Sequence, residues 1–137
     1  MRNKLLISLV VISSILMMFA AGCSPKAPEP IKAGDGILAL WYGGSTWWLG
    51  TADTACDNGL NVKWADGSSP TCTVMTDIVR AVPATKDSAV VGASVYAKLS
   101  GTKYSKATIT AVNGDSYSVE YADKTTKDGL TLADLRM

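Results

Sequence analysis

Apolar and polar residues alternate in short runs from about residue 34 to the C-terminus, which is typical of half-buried β-strands. The clearest run is Tyr-Ser-Val-Glu-Tyr at 117–121. It follows Asn113-Gly114-Asp115, a hairpin sequence whose Asn-Gly pair tolerates positive φ. The other predicted elements of this part are strands over 95–99, 104–112 and 128–132 and one helical turn at 133–135. Because no long segment has the 3.6-residue period of a helix, the pattern predicts an all-β fold.

The strand pattern occurs twice. Residues 61–66, Asn-Val-Lys-Trp-Ala-Asp, match residues 118–123, Ser-Val-Glu-Tyr-Ala-Asp, and most matched positions differ by 57 in residue number. Such self-similarity is the signature of a repeated unit. We therefore predict two tandem units, residues 34–82 and 92–137, joined by a linker at 83–91. In the second unit, the apolar stripe Val95, Ala97 and Leu99 is expected to face the core.

The N-terminus has the features of an export signal. A short basic start precedes a charge-free apolar stretch, and Ala20-Ala21-Gly22-Cys23 resembles the lipobox of bacterial lipoproteins, although that family usually has Leu where Ala20 stands. The resemblance implies that residues 1–22 are a cleaved signal peptide and that Cys23 receives a diacylated lipid. The alternative is an uncleaved N-terminal helix with a buried cysteine. In enteric-type sorting, Ser24 after the lipid site implies the outer membrane of the cell envelope.

A proline-rich segment follows the predicted lipid site. Residues 23–33 contain Pro25, Pro28 and Pro30, and proline favours an extended backbone without ladder hydrogen bonds. At roughly 3 Å per residue the segment could hold a folded head about 30 Å from the membrane. It could equally be a disordered spacer with no other role.

Each unit resembles Tudor and Agenet domains. In that family the first strand ends in Ala-x-aromatic, the third strand ends in aromatic-x-Asp, and a short turn contains Asp-Leu or Asp-Ile, as at Asp134-Leu135 and Asp77-Ile78. The resemblance implies two tandem, five-stranded, SH3-like barrels. Barrels this small bury little apolar surface, so each unit is expected to need its neighbour for stability.

The resemblance also implies a ligand site. Tudor-type domains can bind methylated lysine or arginine in an open aromatic box through cation–π attraction. Carried over by position, the box in the first unit consists of Trp41, Trp48 and Trp64, with Asp66 as its polar wall and Tyr42 closing the side of the first loop. The second unit has Leu99 and Ser105 at two of these positions, so its box is predicted to be incomplete.

The tryptophans have alternative roles as core residues, as the contact between the two units or as an interface with a partner. Trp47 and Trp48 are adjacent in a predicted strand and should point to opposite faces, so they cannot both be core. This arrangement favours one exposed indole. The lysines at 98, 103, 106, 124 and 127 are expected to form a solvated face.

Two cysteines remain once Cys23 is assigned to the lipid. In an exported chain, Cys56 and Cys72 are predicted to form a disulfide between the first hairpin and the following outer strand. A redox-active pair is the alternative, but no Cys-x-x-Cys motif supports it. Two cysteines are too few for a zinc site, and we predict neither a metal nor a cofactor.

Composition narrows the function. The chain has 137 residues, no histidine and a net charge of +1, which argues against His-based catalysis and against nucleic-acid binding. The sequence predicts a membrane-anchored lipoprotein that is not an enzyme and that binds a cationic or methylated group, or a peptide, through the aromatic box. Residues 34–82 carry a net charge of −3, which also favours a cationic ligand. The alternative is a structural or assembly lipoprotein that contacts envelope proteins or the cell wall.

Overall fold

A computed structural model describes residues 27–137, so the predicted signal peptide and Cys23 lie outside the described residues. The described part is all-β, as predicted, and its strands are joined by short turns. The strands are β1 (Gly36–Leu40), β2 (Trp47–Cys56), β3 (Gly59–Trp64), β4 (Thr71–Val74), β5 (Ile78–Arg80), β6 (Ser94–Ser100), β7 (Lys103–Asn113), β8 (Ser116–Tyr121), β9 (Thr126–Leu130) and β10 (Leu135–Arg136). Three single 3-10 turns lie at Trp41–Gly43, Met75–Asp77 and Leu132–Asp134.

The same strand order occurs in the two halves of the sheet. In the first half β1 pairs with β2 and β5, and β3 lies between β2 and β4. In the second half β6 pairs with β7 and β10, and β8 lies between β7 and β9. All pairs are antiparallel. The long strands β2 and β7 have register shifts near Ala52–Ala55 and Ile109–Ala111, where bulges bend a strand.

The halves meet along β2 and β7. Trp47 lies opposite Tyr104 and Trp48 lies opposite Lys103, which makes one ten-stranded antiparallel sheet of the described chain. The Thr102 carbonyl also accepts a hydrogen bond from the Leu49 backbone N–H at 2.9 Å. Trp47 and Tyr104 are matched positions of the sequence repeat, so the pairing relates the halves by an approximate two-fold axis.

Three apolar clusters form the core. One lies in the first half around Ile37 and Val62, and one lies in the second half around Ile109 and Tyr117. The third lies at the junction and contains Leu38, Trp47 and Tyr104. In the second half Val95 and Ala97 are buried as predicted, but Leu99 is 37% exposed and the core prediction for it is wrong.

Both tight hairpins lie within the predicted stretches, but the expected positive φ at both residues of Asn113-Gly114 is not found. The two-residue turn between β7 and β8 is Gly114-Asp115, and of these only Gly114 has positive φ, at 64°. A turn with positive φ only at its first central position requires glycine there, as in type II′. Asn113 is the last residue of β7 and not a turn residue. The matching turn, Asp57-Asn58, has no residue with positive φ.

The predicted disulfide is confirmed. Cys56 at the end of β2 and Cys72 on β4 are bonded, and they are 16 residues apart in sequence. Both strands flank β3, so the bond closes the outer end of the first half. The corresponding positions of the second half are Asn113 and Gly129.

The end of the proline-rich segment is attached to the first half. Arg80 Nη2 donates to the Pro30 carbonyl at 2.7 Å, and Arg80 Nη1 forms an ion pair with Asp35 at 2.8 Å. Ile31 packs against the core of the first half. Within residues 27–137, no helix is long and apolar enough to span a bilayer.

Removing the disulfide should destabilise the protein without changing its fold. For Cys56→Ser combined with Cys72→Ser, we expect the free energy of unfolding to fall by about 3 kcal/mol, because the unfolded chain regains the entropy of a loop of this length. Urea denaturation followed by circular dichroism measures the change. The native spectrum should be unaltered, since the second half has the same topology without a disulfide. Equal stability of variant and parent would contradict the expectation.

Gly59 is required by the close approach of β4. A Cβ atom built at Gly59 would lie 1.8 Å from the Thr73 carbonyl oxygen, so any side chain must move backbone. We expect Gly59→Ala to lower the free energy of unfolding by at least about 1 kcal/mol. Gly36→Ala is the matched control, because Gly36 is also in a strand and a Cβ there would meet nothing within 4 Å. Equal urea midpoints for the two variants would show the expectation to be wrong.

Candidate functional site

Four aromatic side chains of the first half lie together, and we call Trp41, Tyr42, Trp48 and Trp64 the aromatic cluster. The Trp41 ring is at its centre. Its centroid lies 4.7 Å from that of Trp64, 5.5 Å from that of Trp48 and 5.6 Å from that of Tyr42. The sequence prediction therefore named residues that the structure brings together.

The three indoles differ in exposure. Trp64, at the end of β3, is only 5% exposed, and its Nε1–H donates to Thr71 Oγ1 at 3.0 Å. Trp41 and Trp48 are partly exposed and pack against the core beneath them. Rings separated by 4.7 Å are in direct contact, so no ammonium group fits between Trp41 and Trp64. Trp64 thus supports the cluster from below, and the accessible aromatic surface belongs to Trp41, Trp48 and Tyr42.

Tyr42 is held in an unusual backbone conformation. It has φ 47° and ψ 41°, the left-handed region that side chains other than glycine seldom adopt. Its side chain is 80% exposed, the highest value among the large hydrophobic residues described. Burial of the ring therefore does not offset the cost of this conformation. Such outliers are found at binding sites, where an exposed side chain is held in place.

A lysine of the second half lies on the aromatic cluster. Lys103 Nζ is 4.6 Å from the centroid of the Trp48 ring, within the range of a cation–π interaction. The two residues are directly opposite each other in the β2–β7 pairing, which fixes this contact. Lys103 is exposed, as predicted, but its contact with Trp48 depends on the pairing of β2 with β7, which a single sequence does not show.

Asp66 is in the turn that follows Trp64. The Ser68 backbone N–H donates to Asp66 Oδ1 at 2.9 Å, and this bond is the main reason that the pKa of Asp66 lies below its ordinary value. The charge of Lys103 lowers the pKa further, by a smaller amount. Asp66 is therefore ionised at neutral pH and adds negative potential near the ammonium group on Trp48.

Trp47 points to the opposite face of β2, as the alternation predicts. It is 8% exposed and packs at the junction, with its ring centroid 5.1 Å from that of Tyr96. Lys106 Nζ lies 5.7 Å from the Trp47 ring. The inter-unit packing considered for the tryptophans is thus the role of Trp47, and Trp48 is the partly exposed one of the pair.

The predicted lysine face is only partly solvated. Lys127 Nζ donates to the carbonyls of Lys98 and Leu99 at 2.9 and 2.7 Å, and it thereby ties β9 to β6. Lys98 pairs with Asp134 at 3.7 Å. The other three lysines, at 103, 106 and 124, are exposed as predicted, and the side chain of Lys124 is 81% exposed even though it pairs with Glu120.

The described residues offer little for metal chemistry. Within residues 27–137, no three Cys, Asp or Glu side chains come together as metal ligands.

Comparison with protein-family models and with curated proteins gives no match. The candidate site therefore rests on the geometry of this chain alone.

The buried indole should matter more for stability than the partly exposed one. Trp64→Phe removes the bond to Thr71 and leaves a space in the core, so we expect the free energy of unfolding to fall by about 2 kcal/mol or more. Trp48→Phe is the matched control and should cost less than about 1 kcal/mol, because part of that ring is already in water. Urea denaturation of both variants tests this order. A larger loss for Trp48→Phe would mean that Trp48 is the structural residue.

Proposed function

We propose that this protein is a lipid-anchored, non-catalytic binding module of the bacterial envelope that receives a cationic group on its aromatic cluster. The anchor is the predicted lipid on Cys23, with the outer membrane as the proposed location. The ligand is a quaternary or methylated ammonium group, free or carried by a peptide.

The fold that fits this function is a tandem of two SH3-like barrels of the Tudor type. Three observations support that interpretation: the equal strand order in the two halves, the bulged long strands β2 and β7, and a separate apolar cluster in each half. In this arrangement the cluster lies where Tudor-type domains have their aromatic box. The position of Trp64 limits the ligand to the outer surface formed by Trp41, Trp48 and Tyr42.

The observation that carries the proposal is the ammonium group of Lys103 over Trp48. A cation of the chain itself is held 4.6 Å from the ring centroid, and the negative charge of Asp66 acts on it. An external ammonium group would use the same attraction. Because Lys103 already occupies the Trp48 face, the external ligand must displace it, and its affinity is reduced by the strength of that contact.

Removing the internal cation should strengthen ligand binding. We expect Lys103→Met to lower the Kd for choline by between about 2-fold and 30-fold, which is the range set by one cation–π contact of about 0.5–2 kcal/mol. Titration followed by indole fluorescence measures the Kd. Lys86→Met is the matched control, because Lys86 is exposed and pairs with Asp115, away from the cluster.

The charge requirement is tested separately. The uncharged choline isostere 3,3-dimethyl-1-butanol should bind at least several-fold more weakly than choline, and Trp48→Ala should weaken choline binding. If the isostere binds as well as choline, or if Lys103→Met has no more effect than Lys86→Met, the cation site is disproved.

A second candidate function has its own supporting observation. The linker and its borders expose three valines, at 46% for Val82, 52% for Val90 and 63% for Val91. Exposed aliphatic residues so close in sequence favour a contact with an envelope protein or the cell wall, in keeping with a structural or assembly lipoprotein.

A further inference from the structure

The approximate two-fold axis gives the aromatic cluster a counterpart in the second half. Trp41, Trp48 and Trp64 correspond to Leu99, Ser105 and Tyr121, and Asp66 corresponds to Asp123. Lys103, which contacts the aromatic cluster from the other half, corresponds to Thr46. The second position thus has three indoles fewer, although Tyr121 keeps one aromatic ring there, and it has no lysine from the other half.

These smaller side chains leave a groove open. A groove of about 550 Å³ lies at this position, and its lining includes Leu99, Ser105, Tyr121 and Asp123 from the second half and Thr46 and Trp47 from the first. The exposure of Leu99, which the sequence pattern did not predict, is explained because Leu99 forms a wall of this groove. The groove shares no residue with the aromatic cluster or with Lys103.

Two opposite charges line the groove. Lys106 is one lining residue, and its Nζ lies near the Trp47 and Tyr96 rings. Asp123 is another, and Thr125 donates to its Oδ1 from the backbone N–H at 3.0 Å and from the hydroxyl at 2.6 Å. These bonds hold the pKa of Asp123 below its ordinary value, so it is ionised at neutral pH. In the described part of the chain, neither Lys106 nor Asp123 belongs to an ion pair.

The chemistry of the walls defines the ligand. Leu40, Leu99 and Trp47 are apolar, the hydroxyls of Thr46 and Ser105 can bond to amide groups, and the two charges are not neutralised by each other. The volume exceeds what a single amino acid needs and is within the range of small-ligand sites. A ligand that satisfies this surface has an apolar body, amide groups and one charge of each sign.

The geometry points to a second binding site in this groove, for a short apolar peptide with free ends whose ammonium group pairs with Asp123 and whose carboxylate pairs with Lys106. The site is independent of the proposed cation site, because the two have no residue in common. Either site can therefore fail without the other.

Peptides with blocked ends test the charge pairing. Isothermal titration of the chain with Ala-Leu-Ala should give binding, and N-acetylation or C-amidation should each raise the Kd by about 2- to 5-fold, the range for partly exposed ion pairs. In Asp123→Asn the unblocked and N-acetylated peptides should bind alike. In Lys106→Met the unblocked and C-amidated peptides should bind alike. No binding of the free peptide, or an unchanged effect of blocking in these variants, would overturn the proposal.

Refilling the groove gives a second test. Ser105→Trp restores an indole at the position that Trp48 occupies in the first half, and we expect it to abolish peptide binding. Ser116→Trp, on an exposed residue at the start of β8, is the matched control and should bind normally. Choline titration of Ser105→Trp should be unaffected, which separates this site from the aromatic cluster. If Ser105→Trp does not fold, the two charge variants decide the question, because both residues are in exposed positions.

Discussion

The antiparallel pairing of β2 with β7 is the interaction on which the rest of the structure depends. Each half has about 50 residues, and units of this size bury too little apolar surface to be stable with a wide margin. The pairing brings Trp47 and Tyr104 together with Leu38, and all three become buried in a cluster that neither half could form alone. The disulfide adds a covalent constraint to the first half only.

The same pairing explains why the halves differ chemically. An exact repeat would place identical surroundings on the two sides of the axis, but Trp48 faces Lys103 on one side and Ser105 lies near Thr46 on the other. In the first half, the indoles of the aromatic cluster and the ammonium group of Lys103 fill this position. In the second half, the matching position is an open groove lined by the carboxylate of Asp123 and the ammonium group of Lys106. The two halves of the sheet thus present two chemically different surfaces.

The sequence was sufficient for features that depend on local patterns. Alternation predicted the strands, the repeat predicted equal strand order, and the two cysteines that remain beside Cys23 predicted the disulfide. The pairing of β2 with β7 was not predictable, because contacts between distant strands leave no periodic signal. Two details were wrong: Leu99 was expected in the core but forms the wall of a groove with residues of both halves, and the positive φ expected at both Asn113 and Gly114 occurs only at Gly114.

For the aromatic residues too, the sequence predicted which residues meet but not how they pack. The resemblance to a known site grouped Trp41, Tyr42, Trp48 and Trp64 correctly, since position in the strands decides which rings meet. It did not show which rings are accessible, because that depends on packing within the core. The bond from Trp64 to Thr71 and the left-handed backbone of Tyr42 are local consequences of packing that neither spacing nor residue type indicates.

Arg80 attaches the end of the proline-rich segment to the folded part. It binds the Pro30 carbonyl and Asp35 together, so the proline-rich segment is already attached to the first half at residue 30. If Cys23 carries the lipid, the spacer is residues 24–30 in place of residues 24–33, which is seven residues and not ten, and its extended reach is roughly 20 Å in place of about 30 Å. With the proposed anchor, the attachment at Pro30 would thus bring both proposed surfaces nearer to the membrane than the full predicted tether would.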